Sequence, residues 1–311
     1  RLIGKVEQKG FTLVPMKRAY FQMHLAIFIW GFTGLLGKLI QLNEGMLVWY
    51  RILLSWISFA LIVLPGKGWP KLKRAEWLNI SGIGILVMLH WLTFYGSIKL
   101  SSISVAMICL SSIALFSSFI EPLVNRQRFD HVEILFSAMA LTGIFTIYRS
   151  DASASAGILV GLISALLSAT FSVFNRRIAS RYDPTIISFI ELGSGFSFLT
   201  LLLPVYVLVQ PTHQFIPTLT DWIYLLILAL VCTVWTWILS LKALRKVSAY
   251  TMALALNLEP VYGIILAVLF ANEGKILNSG FYFGAVIILL TVVLHTIYRY
   301  RKSRRAETLQ T

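Results

Sequence analysis

Residues 256 to 263 read LNLEPVYG, and they set a carboxylate, Glu259, directly before a proline, Pro260. The surrounding apolar run, Ala249 to Phe270, carries no other charged side chain. At 1.5 Å per residue Glu259 lies about 16 Å along a path of about 34 Å, which is mid-run. If that run crosses a membrane, an ionised carboxylate there costs several kcal/mol unless it faces water, a cation or a cavity. Glu259 is therefore a candidate for holding a substrate amine or a coupling proton; alternatively it stays protonated and donates a hydrogen bond to a neighbouring helix. Pro260 removes a backbone donor and frees a carbonyl about one turn earlier, so a helix break is expected there. Asn257, two residues before the acid, offers both a donor and an acceptor.

Other polar groups fall inside apolar runs. His90 has Trp91 beside it and Phe94 four residues on; it is either an interhelical hydrogen-bond partner or part of the site. Trp30, Trp91 and Phe94 can wall a pocket for a cationic or aromatic solute through stacking and ring-face attraction. Arg51 and Glu191 occupy equivalent positions when the second half of the chain is laid on the first. Their depths predict Arg51 near an outer vestibule, attracting a carboxylate, and Glu191 at an inner mouth, about 15 Å apart along the membrane normal; the alternative is that both snorkel to the interface. Ser111, Ser112 and Thr33 read as helix contacts, and Gly31, Gly34 and Gly37 as a face for close helix approach. Cys109 and Cys232 read as packing residues.

The elements that must position these residues are membrane helices. Of 311 residues 58% are hydrophobic and 13% charged, with a mean hydropathy of +0.79. Ten apolar runs reach spanning length, since about 20 helical residues cross about 30 Å of hydrocarbon: 20–40, 46–64, 77–98, 103–124, 132–148, 157–175, 185–208, 222–241, 248–270 and 280–298. They are continuous and not alternating, which favours helices over a β-barrel. The polar, basic residues 1–19 precede a first run without a small-residue cleavage site, so that run is expected to be retained. The net charge of +14 does not point to nucleic acid. With the N-terminus in the cytoplasm, most of the 27 Lys and Arg residues fall on that side, leaving Lys38, Lys99, Arg149 and Lys275 opposite and Arg51 within a span. Such asymmetry predicts an inner (plasma) membrane protein with both termini cytoplasmic, and the basic residues 299–311 form a tail facing acidic lipid.

The Ala/Ser-rich stretch RSDASASA, residues 149–156, divides five runs from five. A shift of 146 pairs Trp91 with Trp237, Lys99 with Arg245 and Ser102 with Ser248; a shift of 145 pairs Trp77 with Trp222, and one of about 139 pairs Lys38 with Arg177. Five is odd, so the second repeat, 157–298, is expected to cross the membrane in the sense opposite to the first, 20–148. Inverted repeats of this kind are a recurrent plan of secondary transporters, with the substrate site near mid-membrane between the halves.

The five-plus-five plan, WGFTGLLGK in the first run, EPVYGIILAVLFANEG in the ninth and the loop before WYR resemble the EamA-like members of the drug/metabolite transporter superfamily over residues 20–298. The resemblance implies an all-α polytopic protein of ten helices that exports small organic metabolites such as amino acids. It also implies a proline followed about 13 residues later by a glutamate in the penultimate span of each half. Pro260 and Glu273 match in the second half, whereas the first has Ala114 and Gln127, with Glu121-Pro122 out of register.

No GxxxxGK[ST] loop is present, so energy is expected from solute or ion gradients, with Glu259 the favoured proton carrier. No cofactor or metal is expected. The partners are a small-molecule substrate, the bilayer and protons, without nucleic acid. Two other classes compete: a membrane sensor or scaffold, and an intramembrane hydrolase built on Ser194 of GSGF with His90.

Overall fold

The structure, a computed structural model, describes residues 16–67, 72–126, 128–179, 181–209, 214–244, 252 and 255–308. Every regular element among them is a helix. These are α1 (Met16–Leu39), α2 (Glu44–Lys67), α3 (Arg74–Leu100), α4 (Ile103–Leu110), α5 (Ile113–Asn125) and α6 (His131–Ser150), then α7 (Ser155–Ala179), α8 (Pro184–Val209) and α9 (Leu219–Leu226). A π-helix, Ile227–Trp235, joins α9 to α10 (Thr236–Leu244), and α11 (Glu259–Phe270) and α12 (Ser279–Thr308) complete the described chain. Among the described residues nine helical stretches are long and apolar enough to cross a membrane, with α11 a shorter apolar helix of 12 residues. Much of the expected ninth span before Glu259 lies outside the described residues, as do Arg245, Ser248, Gln127 and the tail before Met16. Only residues 151–154 separate α6 from α7, and the basic stretch from 299 continues α12 as helix to Thr308.

Helix faces turned outward are apolar: Leu201, Leu208 and Val209 on α8 are 75%, 81% and 81% exposed. That is what hydrocarbon requires and water penalises. The inner faces pack crosswise between halves: α1 lies on α10 and α11, α3 on α7 and α8, α2 on α8, and α4 on α7 and α11. The last long helices of each half, α6 and α12, pack on each other. Close approach depends on absent side chains. A Cβ at Gly37 would sit 2.2 Å from the Tyr95 ring, and one at Gly84 would sit 2.2 Å from the Glu191 carbonyl oxygen.

Carboxylates tie the helix starts to the other half. Asp221 is 1% exposed, completes the capping box of α9 with Thr218, and accepts the Gln41 backbone N–H at 2.8 Å. Glu76 plays the matching part at the start of α3, accepting from Lys73 N–H at 2.8 Å and from the Tyr182 hydroxyl. Glu273, 2% exposed, accepts the Ile103 and Ser104 N–H groups of α4 at 2.7 and 2.8 Å. Those donors have no partner inside their own helix, so Glu273 serves as the cap of a helix 170 positions earlier. Glu273→Ala is expected to cost about 2–4 kcal/mol, since it strands two buried donors, and Glu273→Gln less, because its amide oxygen still accepts one. Thermal unfolding of the protein in nanodiscs reads the order; equal midpoints for wild type and Ala variant would remove the cap from the account.

The end of α12 is held in the same manner. Asp130, N-cap of α6, receives the Tyr298 hydroxyl at 2.7 Å and the Lys302 ammonium. Burial pushes its carboxyl up, but the bonds from Lys302, Tyr298 and the Val132 N–H outweigh it and hold the pKa at about 2. The contribution of this clamp is present above the ordinary aspartate range and is lost only as pH falls toward 2.

Candidate functional site

Two of the long apolar runs do not continue as single helices. The fourth breaks at Ser111-Ser112, between α4 and α5; the ninth breaks at Asn257-Leu258, before α11. The breaks fall at equivalent positions under the 146-residue shift. In the second, the Leu258 N–H turns tightly onto the Ala255 carbonyl at 2.9 Å, and Glu259 opens the new helix with Pro260 in its first turn. This corrects the expectation that Pro260 is itself the break. In a first turn the missing N–H has no helical acceptor to lose, and the first half breaks at the same place with Ala114 instead of proline. Glu259 thus stands at the N-terminal, positive end of a half-helix.

Between the halves lies a cavity of about 140 Å³. At roughly 10–15 Å³ per water it holds on the order of ten solvent-sized groups, enough for a small metabolite. Trp30, Arg51, His90, Trp91, Phe94, Glu191 and Glu259 all line it. Asn257 does not: its amide donates to Thr296 Oγ1 at 3.0 Å, because the turn at the break points it toward α12. Glu191 stands at the cavity wall, 3% exposed, so it does not snorkel to an interface. Counting residues along α8 missed that Gly84 lets α3 and α8 touch at the Glu191 backbone, while the long Arg51 side chain turns inward from the other direction. Both members of the pair therefore meet one cavity.

Arg51 is 4% exposed and rigidly placed. Its guanidinium lies 3.8 Å from the Trp91 ring centroid. One terminal nitrogen donates to the Tyr95 hydroxyl at 2.7 Å, and Nε and Nη2 share Thr233 Oγ1 at 3.2 and 3.1 Å. Thr233 in turn donates to the Leu228 carbonyl five residues back, at 2.8 Å. That offset is the register of the π-helix, whose wider turn aims Thr233 and Cys232 into the cavity. Of the five guanidinium N–H groups, the three bonds to described residues leave two free for a ligand. These partners are neutral, so the positive charge is not cancelled by them.

The acids are not cancelled either. Among the described residues neither Glu191 nor Glu259 forms an ion pair, and Glu191 Oε1 has no hydrogen-bond partner; Asn175 is its polar neighbour. Glu259 makes no side-chain hydrogen bond to a described residue, so the interhelical-donor alternative finds no acceptor there. His90 is bonded as an interhelical partner: its Nδ1 lies 3.0 Å from the Ser164 carbonyl, and Ser164 Oγ lies 3.0 Å from the His90 carbonyl. A carbonyl only accepts, so the Ser164 carbonyl contact puts a hydrogen on Nδ1, with Ser164 Oγ 2.9 Å from the same nitrogen. Trp30 is fixed by its indole N–H on Thr236 Oγ1 at 2.8 Å.

Sequence reasoning did not single out Thr233, Ser188, Phe171 or Trp237, all of which line the cavity. Trp237 carried a signal, since it is the repeat mate of Trp91; the π-helix that presents Thr233 carried none. Ser194 donates to the Ile190 carbonyl at 2.7 Å and lies 2.8 Å from Ser81 Oγ, while His90 is bonded to Ser164, so the two hydrolase candidates do not pair.

Known proteins agree with this architecture. A protein of known crystal structure superposes with a TM-score of 0.60 over 91% of this chain and 98% of its own, at 16% identity, a likeness of fold. An uncharacterized transporter of Archaeoglobus fulgidus is 22% identical over 171 residues, 54% of this chain; the chain spans 60% of that relative's length. Residues 17–149 and again 155–297 match one family, each repeat holding one of the two helix breaks. The protein is a multi-pass membrane protein and belongs to the EamA-like transporter family.

Proposed function

We propose that the chain is a secondary transporter of a small organic solute bearing both an ammonium and a carboxylate, an amino acid or related metabolite. One observation carries the reading: an arginine with unspent donors and two glutamates without an ion pair among the described residues share one aromatic-walled cavity. The substrate carboxylate meets the free edge of Arg51 in charge-assisted hydrogen bonds. Its ammonium meets Glu259 or Glu191, and its side chain lies against Trp30, Trp91 and Phe94.

In this reading the repeats are inverted and rock against each other, exposing the cavity alternately to the two sides. Their odd span number, the exchanged packing of α1 on α10 and α3 on α7, and the matched carboxylates Glu76 and Asp221 support it. The breaks beside the cavity supply the hinges. The direction is export from the cytoplasm across the inner membrane, both termini cytoplasmic, with Glu259 carrying the coupling proton.

Counterflow into proteoliposomes tests the substrate class with three labelled sets: zwitterionic amino acids, monocarboxylates and monoamines. Exchange of at least one zwitterion, about tenfold faster than of its carboxylate-only and amine-only analogues, is expected. Equal rates across the sets, or none, would leave a sensor or scaffold as the better reading.

A further inference from the structure

A second buried pair of ionisable groups lies away from the central cavity. Glu133 on α6 and His295 on α12 are each 7% exposed. Together with Ser111, Ser137 and Thr291 they line a pocket of about 20 Å³, room for one water. Helices α6 and α12 are already joined where Gly143 and Gly284 cross; a Cβ at Gly284 would sit 2.6 Å from the Gly143 carbonyl oxygen. Apolar side chains would fill the neighbouring space at less desolvation cost than an acid and an imidazole, so packing does not account for this pair.

The pocket reaches the first helix break, and one of its helices, α12, is bonded to the second. Ser111, at the first break, lines it, and the Ser111 hydroxyl is buried without a hydrogen-bond partner. The other hydroxyls are engaged: Ser137 donates to the Glu133 carbonyl at 2.8 Å, and Thr291 to that of Ile287 at 2.7 Å. At the second break, the Asn257 amide is held by Thr296, the residue next to His295. The solvent end is near, since Glu133 is three residues from Asp130 and His295 three from Tyr298. Other charged groups described on the surrounding helices are paired with one another or exposed. Asp130 holds Lys302 and Tyr298, Glu121 holds Arg176, and Arg126, Arg128, His131 and Arg301 lie at the helix ends toward solvent.

We infer that Glu133 and His295 form a proton site separate from Glu259, taking one proton from water at the Asp130–Lys302 end, and that its occupancy biases the two breaks. One proton enters and none leaves, so the charge at the site rises by one. The water-sized space between the pair and Ser111 lets that change reorient the Ser111 hydroxyl at the first break, and a shift of α12 carries it to Asn257 at the second.

The proton site needs no solute and is tested apart from the transport reading, on which only its consequence for transport rests. Infrared pH-difference spectra of the full chain in nanodiscs read the protonated-carboxyl band. A titrating component is expected to survive Glu259→Gln and Glu191→Gln, to be lost in Glu133→Gln, and to shift its midpoint by about one pH unit in His295→Gln. Should Glu133→Gln not fold, the His295→Gln shift alone decides. No component assignable to Glu133, or one erased by sodium at fixed pH, overturns the proposal, the latter in favour of a cation site. Hydrogen exchange read in parallel is expected to change at residues 111–112 and 257–258 across the same midpoint in wild type and not in Glu133→Gln; exchange at the breaks that ignores this midpoint overturns the link to the hinges.

Discussion

Glu259→Gln is expected to abolish proton-driven accumulation of solute and to weaken solute binding at least tenfold, with the unfolding midpoint unchanged or raised. The substitution is nearly isosteric, so the half-helix and the cavity keep their shape; what disappears is the negative charge and the exchangeable proton. In wild type that charge has no ion-pair partner among the described residues and stands at a helix start within an apolar run, where an acid persists because water, cargo or a proton reaches it. A tenfold loss corresponds to about 1.4 kcal/mol, modest for an ammonium–carboxylate contact out of bulk water. Glu191→Gln gives the comparison: if Glu259 carries the proton, pH dependence of counterflow survives in Glu191→Gln and vanishes in Glu259→Gln. Solutes that bind both variants like wild type would take the acids out of the site.

How much of this was legible in the sequence differs by kind of signal. Long apolar runs report spans directly, because the bilayer imposes one length on every helix, and the nine long helices lie where runs were read. A lone acid in such a run is equally conspicuous, as Glu259 shows. Residue counting did not give direction: Asn257, two positions from Glu259, points to Thr296, since one turn at the break rotates its side chain away. Arg51 and Glu191 were readable as repeat mates, but their meeting depends on the close α3–α8 contact at Gly84 and the reach of the arginine, which are tertiary facts. The π-helix left no recognisable pattern, and the spacing that marked Glu273 did not reveal its cap, whose partner Ile103 lies 170 positions away in the chain. Proline was a misleading marker of the break, because a first helical turn tolerates it.

Removing the cavity's cation separates the two ends of the proposed solute. Arg51→Met keeps a long apolar side chain against Trp91 but removes the charge and all five donors, leaving the Tyr95 hydroxyl and Thr233 without their guanidinium partner. Zwitterion binding is expected to fall about a hundredfold, roughly 2.7 kcal/mol, in keeping with loss of a charge-assisted contact that also held the pocket wall. Arg51→Lys is not a rescue: an ammonium keeps the charge but lacks the planar fork that bonds Tyr95 and Thr233 while still facing the cavity, so an intermediate loss is expected. Binding measured with an amine-only analogue distinguishes mechanism from collapse. With Glu191 and Glu259 intact and a repelling cation gone, that analogue is expected to bind Arg51→Met as well as or better than wild type. A variant that folds yet loses zwitterion and amine in equal measure would mean that Arg51 shapes the cavity without touching the cargo's carboxylate.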